Sequence, residues 1–284
     1  MIKYIENRKL YYVVSGLMIA LSLYFLLIYR LNVGIDFTGG TNWSISTTLK
    51  TDEIKQIINS DKIEIYRIDG KNGDYNISLE PITSEQKNLL LDKFKGKDKQ
   101  FSENKFETIG PALGKELLIK TLIAVAVASV AIMLYVSHQF KETVFGVSAI
   151  IAMIHDVLIL IGSFSILGYL YGVQVDSLFV TAVLITLSFS VHDTVVVFDR
   201  FREVRKNQPK MVLDEQINLA INSTMVRSIN NSVTTAIMLL AVFLLGGETI
   251  KWFVLALFIG IIVGTYSSPF VSTPIVYEWL KRKR

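Results

Sequence analysis

Six long apolar runs constrain the fold of this chain more than any other feature of its sequence. They cover approximately residues 10–29, 117–136, 144–167, 177–198, 228–246 and 252–278. A helix needs roughly 20 apolar residues to cross the hydrocarbon core of a bilayer. We therefore expect a membrane all-α protein with six transmembrane helices. The composition agrees, because 51% hydrophobic and 19% charged residues are too apolar a mixture for a soluble domain of this length.

Lysine and arginine are distributed unequally among the segments that flank these runs. Fourteen of them, including Lys141 and Arg284, lie in the termini and in the second-to-third and fourth-to-fifth connections. The short loops at 168–176 and 247–251 carry only Lys251. Because basic residues accumulate on the cytoplasmic side, both termini are predicted to be cytoplasmic and residues 31–113 to lie outside. The net charge of +4 then reflects orientation and contact with the lipid bilayer, so we expect no nucleic-acid partner.

Residues 31–113 have the sequence pattern of a separate soluble domain. Strand-like segments at 42–48, 63–65, 75–79 and 101–109 alternate with helical segments near 54–58 and 83–94, and a turn is predicted at 69–74. Thr83 and Gln86 form a capping box at the start of the second helix. The order βαββαβ predicts an extracytoplasmic α+β ferredoxin-like domain. It has no histidine, clustered carboxylate pair or phosphate loop, so we expect a binding or lever domain.

The remaining chain divides around this domain. Residues 1–30 form the cytoplasmic N-terminus and the first transmembrane helix, which is too long for the apolar core of a signal peptide and is predicted to be a retained anchor. Residues 114–284 form a five-helix transmembrane region. Its cytoplasmic connection at 199–227 is polar and basic, and we expect residues 199–224 to form a helix along the membrane surface that Pro209 interrupts.

Charged side chains inside the apolar runs are functional candidates, because inserting one costs about 2.5–3.5 kcal/mol. Asp156 lies near the middle of the third run, Asp193 lies in the fourth, and Arg227, directly before the fifth, is expected at a depth similar to that of Asp193. A carboxylate with a movable arginine partner can load and release protons. Alternatively, both aspartates are static hydrogen-bonding groups that lock the bundle. The sequence leaves both hypotheses open.

Other polar residues lie on the same helix faces as Asp193 and Arg227 and form stripes at helical spacing. The fourth run carries Thr186 and Ser190 on the face of Asp193, and the fifth carries a set that begins at Arg227 and continues with Asn230, Asn231, Thr234 and Thr235. Such stripes line a polar helix–helix interface or a water-filled path. In the sixth run, Gly260 and Gly264 form a G-x-x-x-G face that predicts close helix contact.

Two His-Asp doublets, His155-Asp156 and His192-Asp193, raise the question of a metal site. Adjacent residues on a helix point about 100° apart, so each doublet offers one ligand comfortably. A catalytic zinc ion needs three convergent protein ligands, and the third histidine, His138, lies at the edge of its run. The chain has no cysteine. We therefore expect no metal and no cofactor. An intramembrane metalloenzyme remains the weakest of the three functional hypotheses that the sequence leaves open.

Four stretches carry a family resemblance. They are Gly34-Ile-Asp-Phe-Thr-Gly-Gly-Thr41, Ile109-Gly-Pro-Ala-Leu-Gly114, His192-Asp-Thr-Val-Val-Val-Phe-Asp-Arg200 and Gly260-Ile-Ile-Val-Gly-Thr-Tyr-Ser-Ser268. Because these four stretches occur in this order, the chain resembles the SecF family. SecF is the smaller subunit of the SecD–SecF complex of bacterial protein export. SecD chains typically have Asp-Ala-Asn-Val where this sequence has Asp193-Thr-Val.

The resemblance implies half of a resistance–nodulation–division-like bundle, completed by SecD in the bacterial inner membrane. It implies a non-enzymatic role, in which the proton motive force drives polypeptide translocation at the SecYEG channel. Asp193 and Arg227 match the family positions tied to proton passage, and Asp36, Gly39 and Gly40 lie in its motif before the outer domain. His192 replaces the usual asparagine, and we include it with Asp156 among the relay candidates. Half of a proton-driven small-molecule or lipid efflux transporter is the alternative, and sodium could replace protons.

Overall fold

The computed structural model describes residues 2–71, 73–140 and 142–283. Asn72 of the predicted turn, and Lys141 and Arg284 of the basic set, lie outside these residues. Within the described residues, six helices are long and apolar enough to cross a membrane, which confirms the predicted number. The chain separates into two compact units, one of Met1–Asn32 with Ile123–Arg284 and one of Val33–Leu122.

The helices and strands follow one another in an order that agrees with the sequence pattern. In chain order they are α1 (Arg8–Tyr29), α2 (Ile35–Thr38), β1 (Gly40–Ser46), α3 (Thr51–Asn59), β2 (Ile65–Lys71), β3 (Asp74–Leu79), α4 (Ser84–Lys97), β4 (Ser102–Ile109), α5 (Pro111–Phe140), α6 (Thr143–Tyr171), α7 (Ser177–Asn207), α8 (Leu213–Leu245), α9 (Glu248–Ser267), a π-helical turn (Ser268–Ser272) and α10 (Thr273–Arg282).

The smaller unit is a four-stranded sheet with the strand order β2-β3-β1-β4, and each neighbouring pair is antiparallel. This order, with α3 and α4 as the two connections, confirms the ferredoxin-like prediction. Trp43 in the central strand is 1% exposed and packs edge-on against Phe94 of α4. The capping box of Thr83 and Gln86 is present as predicted.

The second strand begins later than the alternation of Ile63 and Ile65 predicts. Ile63 is buried, but sheet pairing starts at Ile65. The cause lies one residue earlier, where Lys62 has a φ of +58°. This left-handed conformation turns the chain away from α3, so Ile63 reaches the core before the strand joins the sheet.

In the larger unit, α6, α7 and α9 supply the interior, α1 packs against α6, and α8 packs against α7 and α9. Glycines permit the close approaches. A Cβ atom at Gly162 would lie 2.5 Å from the Cα atom of Ser22 in α1, and one at Gly260 would overlap the side chain of Thr186 in α7. The close contact predicted from the G-x-x-x-G face is therefore confirmed.

The prediction of a surface helix over residues 199–224 is wrong. The helix α7 continues to Asn207, and α8 begins at Leu213, so both transmembrane helices extend beyond their apolar runs. Phe201 and Ile217 on these extensions are buried. The apolar positions thus pack against the protein itself instead of lying on lipid. The interruption at Pro209 is confirmed, because it lies in the break between α7 and α8.

The sixth transmembrane segment is not a uniform α-helix. Between α9 and α10, residues Ser268–Ser272 form a π-helical turn. Pro269 lies within this turn and Pro274 lies just after it, and neither has an amide hydrogen, so the α-helical hydrogen-bond ladder is weakened here. The hydroxyl groups of Ser272 and Thr273 donate to the Ser268 carbonyl oxygen at 2.7 and 2.8 Å, which gives this buried acceptor two side-chain donors. Such turns are frequent at functional sites.

Candidate functional site

Asp156 lies at the centre of a buried polar cluster. Its carboxylate is fully buried on α6, with Oδ1 2.8 Å from His155 Nδ1. Ser267 of α9 donates to Oδ2 at 2.7 Å, and the Ser190 side chain of α7 also hydrogen-bonds to this carboxylate. Three helices therefore meet at one acidic group. A buried carboxylate held by several donors is well placed to keep or exchange a proton, or to fix the helices.

The cluster continues along the π-helical turn towards Asp193. Ser268 Oγ lies 3.0 Å from Thr194 Oγ1 and also approaches the Ser190 carbonyl oxygen at 3.4 Å. Since Thr194 follows Asp193 directly, the polar contacts reach from Asp156 to the neighbour of the second aspartate. Within the part of the chain that is described, His155 Nε2 is buried without a hydrogen-bond partner.

Asp193 and Arg227 lie near each other without forming a direct ion pair. Asp193 is 6% exposed on α7, and the charges of Arg227 on α8 and of His192 both act on its carboxylate. Among the described residues, no cation comes within 4.0 Å of the Asp193 carboxylate. His192 itself is exposed. The four predicted relay residues thus form two groups, with Asp156 alone among the interior helices and the buried Asp193 close to the exposed His192 and Arg227.

The polar stripe of the fifth transmembrane helix is largely uncovered. Arg227, Asn230, Asn231 and Thr234 on α8 are exposed in this chain, and Thr235 is half-buried. The hydroxyl groups of Thr234 and Thr235 donate to the carbonyl oxygens of Asn230 and Asn231. A charge and two amides on the outside of a transmembrane helix are costly against lipid. This face therefore requires a polar cover.

The family motif at the start of the smaller unit has a packing role that the structure explains. Asp36 lies in the first turn of α2, and Gly39 and Gly40 follow with φ angles of +73° and +137°, which favour glycine. A Cβ atom at Gly39 would lie 2.7 Å from the Cα atom of Pro111, and one at Gly114 would lie 2.7 Å from Gly39 N. The first two family stretches therefore pack against each other.

No group of three or more histidine, aspartate and glutamate side chains could hold a metal ion in the residues that the structure describes. His155 uses Nδ1 on Asp156, and His192 lies on the exposed side of α7. The geometry gives the metalloenzyme hypothesis no support.

Sequence reasoning missed Ser267 as a partner of Asp156 and also missed the contact between Ser268 and Thr194. Ser267 and Ser268 were noticed only as the end of a family stretch, and Thr194 only as part of another. A signal was available, because Ser267 and Ser268 follow Gly264 by three and four residues and so share its helix face. That face packs against Ser190, whose Cα atom would lie 3.4 Å from a Cβ atom at Gly264.

A bundle of six transmembrane helices, a buried carboxylate cluster and a polar outer helix face define a multi-pass membrane protein of the transport type. The chain also matches the model for the family described as "protein export membrane protein SecD/SecF, C-terminal" over residues 90–282. It therefore belongs to the SecD/SecF family of protein-export membrane proteins.

Individual relatives are similar along nearly the whole chain. The protein translocase subunit SecF of Thermobaculum terrenum is 36% identical over 298 residues, which cover 98% of this chain and 94% of the relative. SecF of Anaerolinea thermophila is 35% identical, with 98% and 94% covered. The crystal structure of SecDF from Thermus thermophilus has a TM-score of 0.88 at 31% identity and matches 99% of this chain but 39% of that longer chain. This likeness confirms the fold class, a half-bundle of the resistance–nodulation–division type with one ferredoxin-like unit.

Proposed function

We propose that this chain is an accessory subunit of the bacterial Sec protein-export machinery that couples the proton motive force to polypeptide translocation together with SecD. The observation that carries the proposal is the juxtaposition of the Asp193 carboxylate with the Arg227 helix, whose polar face is uncovered. Family membership supports the export role. The function needs no cofactor and makes no covalent change, so the chain acts as a transport component and not as an enzyme.

In this mechanism, Asp193 holds the transported proton and Arg227 is its movable counter-charge. When Asp193 is ionised, Arg227 approaches the carboxylate. When Asp193 is protonated, that attraction is lost and α8 is free to shift against α7. At 4 Å the attraction of two unit charges is about 4 kcal/mol at an effective dielectric constant of 20, which is enough to bias two helix arrangements strongly. Asp156 is the inner proton holder, and Ser190, Ser268 and Thr194 connect the two.

The cover for the polar face of α8 is SecD. Arg227, Asn230 and Asn231 are exposed in this chain and need polar or charged partners within the membrane. The protein translocase subunit SecDF of Thermus thermophilus supports this arrangement, because its name combines SecD and SecF in a single protein. This chain matches 35% of the length of that protein. The assembly works at the SecYEG channel on the translocating polypeptide. It lies in the bacterial inner membrane with both termini cytoplasmic.

The test is proton flux in vesicles that contain this chain and SecD. Asp193→Asn keeps the shape and a hydrogen-bonding side chain but cannot titrate. We expect normal assembly and loss of flux. The matched control is Asp176→Asn, which changes a carboxylate that caps the other end of the same helix, where Asp176 Oδ1 accepts from Phe179 N at 2.8 Å. This variant is expected to retain flux.

Two outcomes would overturn the mechanism. Full flux in Asp193→Asn would show that this carboxylate is a static hydrogen-bonding group. Flux that follows a sodium gradient at constant pH would replace the proton as the coupling ion. Arg227→Ala is expected to stop flux, since Asp193 loses its counter-charge. His192→Asn restores the residue that is usual in the family and tests whether His192 takes part in the relay. If His192 carries the proton, this variant shifts the pH profile of flux. If His192 is only a polar neighbour of Asp193, the pH profile stays unchanged.

The orientation is tested with reporters fused after Lys71 and after Lys206. The first reporter is expected to be active only outside the cytoplasm and the second only inside, because fourteen basic residues flank one side of the apolar runs. A cytoplasmic reporter at Lys71 would contradict the proposed orientation.

A further inference from the structure

A groove of about 440 Å³ lies between α1 and α10, at the end of the larger unit where the N-terminus meets the last helix. Its lining residues are Tyr12, Ile275, Glu278, Trp279, Arg282 and Lys283. Ile275, Trp279 and Arg282 follow one another at spacings of four and three residues and so share one face of α10. The opposite face, with Val276 and Tyr277, is buried against the bundle. The groove is therefore apolar along its wall and basic at the end of the chain.

The net charge is positive at the end of the groove that Arg282 and Lys283 line. Glu278, the one acidic residue of the lining, is engaged by Arg8, whose Nε lies 2.5 Å from its Oε1. Arg8 also lies over the Tyr277 ring, with its Cζ 4.9 Å from the centroid. Among the described residues, neither Arg282 nor Lys283 has an acidic partner within 4.0 Å. Two unpaired cations thus stand beside a neutralised carboxylate.

We propose that this groove binds an anionic phospholipid. The headgroup phosphate pairs with Arg282 and Lys283, and an acyl chain lies along Tyr12, Ile275 and Trp279. Arginine and lysine pair with phosphate through charge-assisted hydrogen bonds, and tyrosine and tryptophan are typical of the level where headgroups meet acyl chains. A helix of a partner protein would fill the apolar wall, but it would leave the two cations unpaired unless it also supplied acidic groups at that level.

The positions of Arg282 and Lys283 in the groove distinguish this site from a general attraction between basic residues and an anionic membrane. Lys281 is adjacent in sequence and exposed, but its Nζ lies over the Tyr277 ring at 5.5 Å from the centroid and it does not line the groove. A general attraction between a basic terminus and an anionic membrane would involve all three cations equally. A binding site involves Arg282 and Lys283 selectively.

The test is quenching of Trp279 fluorescence by brominated lipids in nanodiscs that contain the full chain. Trp252→Phe leaves Trp279 as the tryptophan of the larger unit, and Trp43 is buried in the core of the other unit, out of lipid contact. Brominated phosphatidylglycerol is diluted into unbrominated phosphatidylcholine, and brominated phosphatidylcholine serves as the comparison. We expect phosphatidylglycerol to quench Trp279 at lower mole fractions.

The double variant Arg282→Gln/Lys283→Gln is expected to weaken the preference for phosphatidylglycerol by about fivefold for each charge removed. Lys281→Gln is the matched control and is expected to leave the preference unchanged. Equal quenching by the two lipids in the Trp252→Phe protein would overturn the proposal. So would an effect of Lys281→Gln as large as that of the double variant. Absence of quenching by either lipid would show that protein covers the groove and would likewise overturn it.

Discussion

Replacing Gly260 with alanine tests the close packing of α9 against α7. The added Cβ atom would overlap Thr186 Oγ1 and lie 2.8 Å from Cγ2 and 2.9 Å from Cβ of the same residue. These atoms are close to the backbone of α7, so relief requires the helices to separate. Overpacking of this kind costs about 1–3 kcal/mol. Relative to a glycine-to-alanine change in the same helix without this collision, the melting temperature is then expected to be lower by roughly 2–12 °C, at about 2–4 °C for each kcal/mol.

Gly264→Ala is the matched control one turn along the same face. Its added Cβ atom would lie 3.4 Å from Ser190 Cα, which is an ordinary van der Waals contact. Both variants gain about 1 kcal/mol of helix propensity, so their difference isolates the collision. Thermal unfolding of the purified chain in one detergent measures it. Equal melting temperatures for the two variants would refute the reasoning.

A second substitution tests the identity of the colliding group. Thr186 Oγ1 is buried and has no hydrogen-bond partner among the described residues, so Thr186→Ala removes the obstacle without leaving a partner unpaired. The double variant Gly260→Ala/Thr186→Ala is expected to recover most of the lost stability. A purely additive result, with no recovery, would place the strain elsewhere in the helix pair.

Three further outcomes follow from contacts in both units. Asp98 accepts hydrogen bonds from Thr47 and from two backbone amides, which lower its pKa from 3.8 to about 2. Its stabilising contribution is therefore complete above pH 4 and is lost as the pH falls towards 2. The difference in stability between wild type and Asp98→Asn, measured by acid unfolding, should vanish over that range. Gly39→Ala is expected to destabilise by more than about 1 kcal/mol because its φ is +73° and backbone atoms crowd it, whereas Gly96→Ala, with no neighbouring atom within 4 Å in α4, should stabilise by up to about 1 kcal/mol in denaturant unfolding. Asp156→Ala should cost about 1–3 kcal/mol for each donor left unpaired, and Asp156→Asn clearly less, in thermal unfolding of the purified chain.

The sequence predicts well those features that depend on local pattern. Apolar runs of sufficient length identify all six transmembrane helices, because the cost of unpaired polar groups in lipid leaves the chain few choices. The capping box of Thr83 and Gln86 and the face of Gly260 and Gly264 are equally local, and both are confirmed. The order of strands follows once the βαββαβ pattern is recognised.

Features that depend on which surfaces meet are harder to predict. Ser267 donates to Asp156 across 111 residues of sequence, and no spacing rule indicates that α6 and α9 face each other there. The segment after Asp199 is polar and basic, and this composition fits a helix on the membrane surface as well as an extension of the transmembrane helices. The structure decides for the extension because Phe201 and Ile217 are buried by the chain itself.

The π-helical turn sets the rotational phase of everything after it. A π turn accommodates one residue more than an α turn, and each residue of an α-helix rotates the following side chain by about 100°. If the same residues formed a regular α-helix with none removed, the whole of α10 would turn by about that angle. Tyr277, whose hydroxyl donates to Asp214 at 3.1 Å, and Glu278, which pairs with Arg8, would then point away from their partners. The π-helical turn thus absorbs one residue and keeps both contacts in place, and a substitution that made this turn α-helical without removing a residue would disturb both of them.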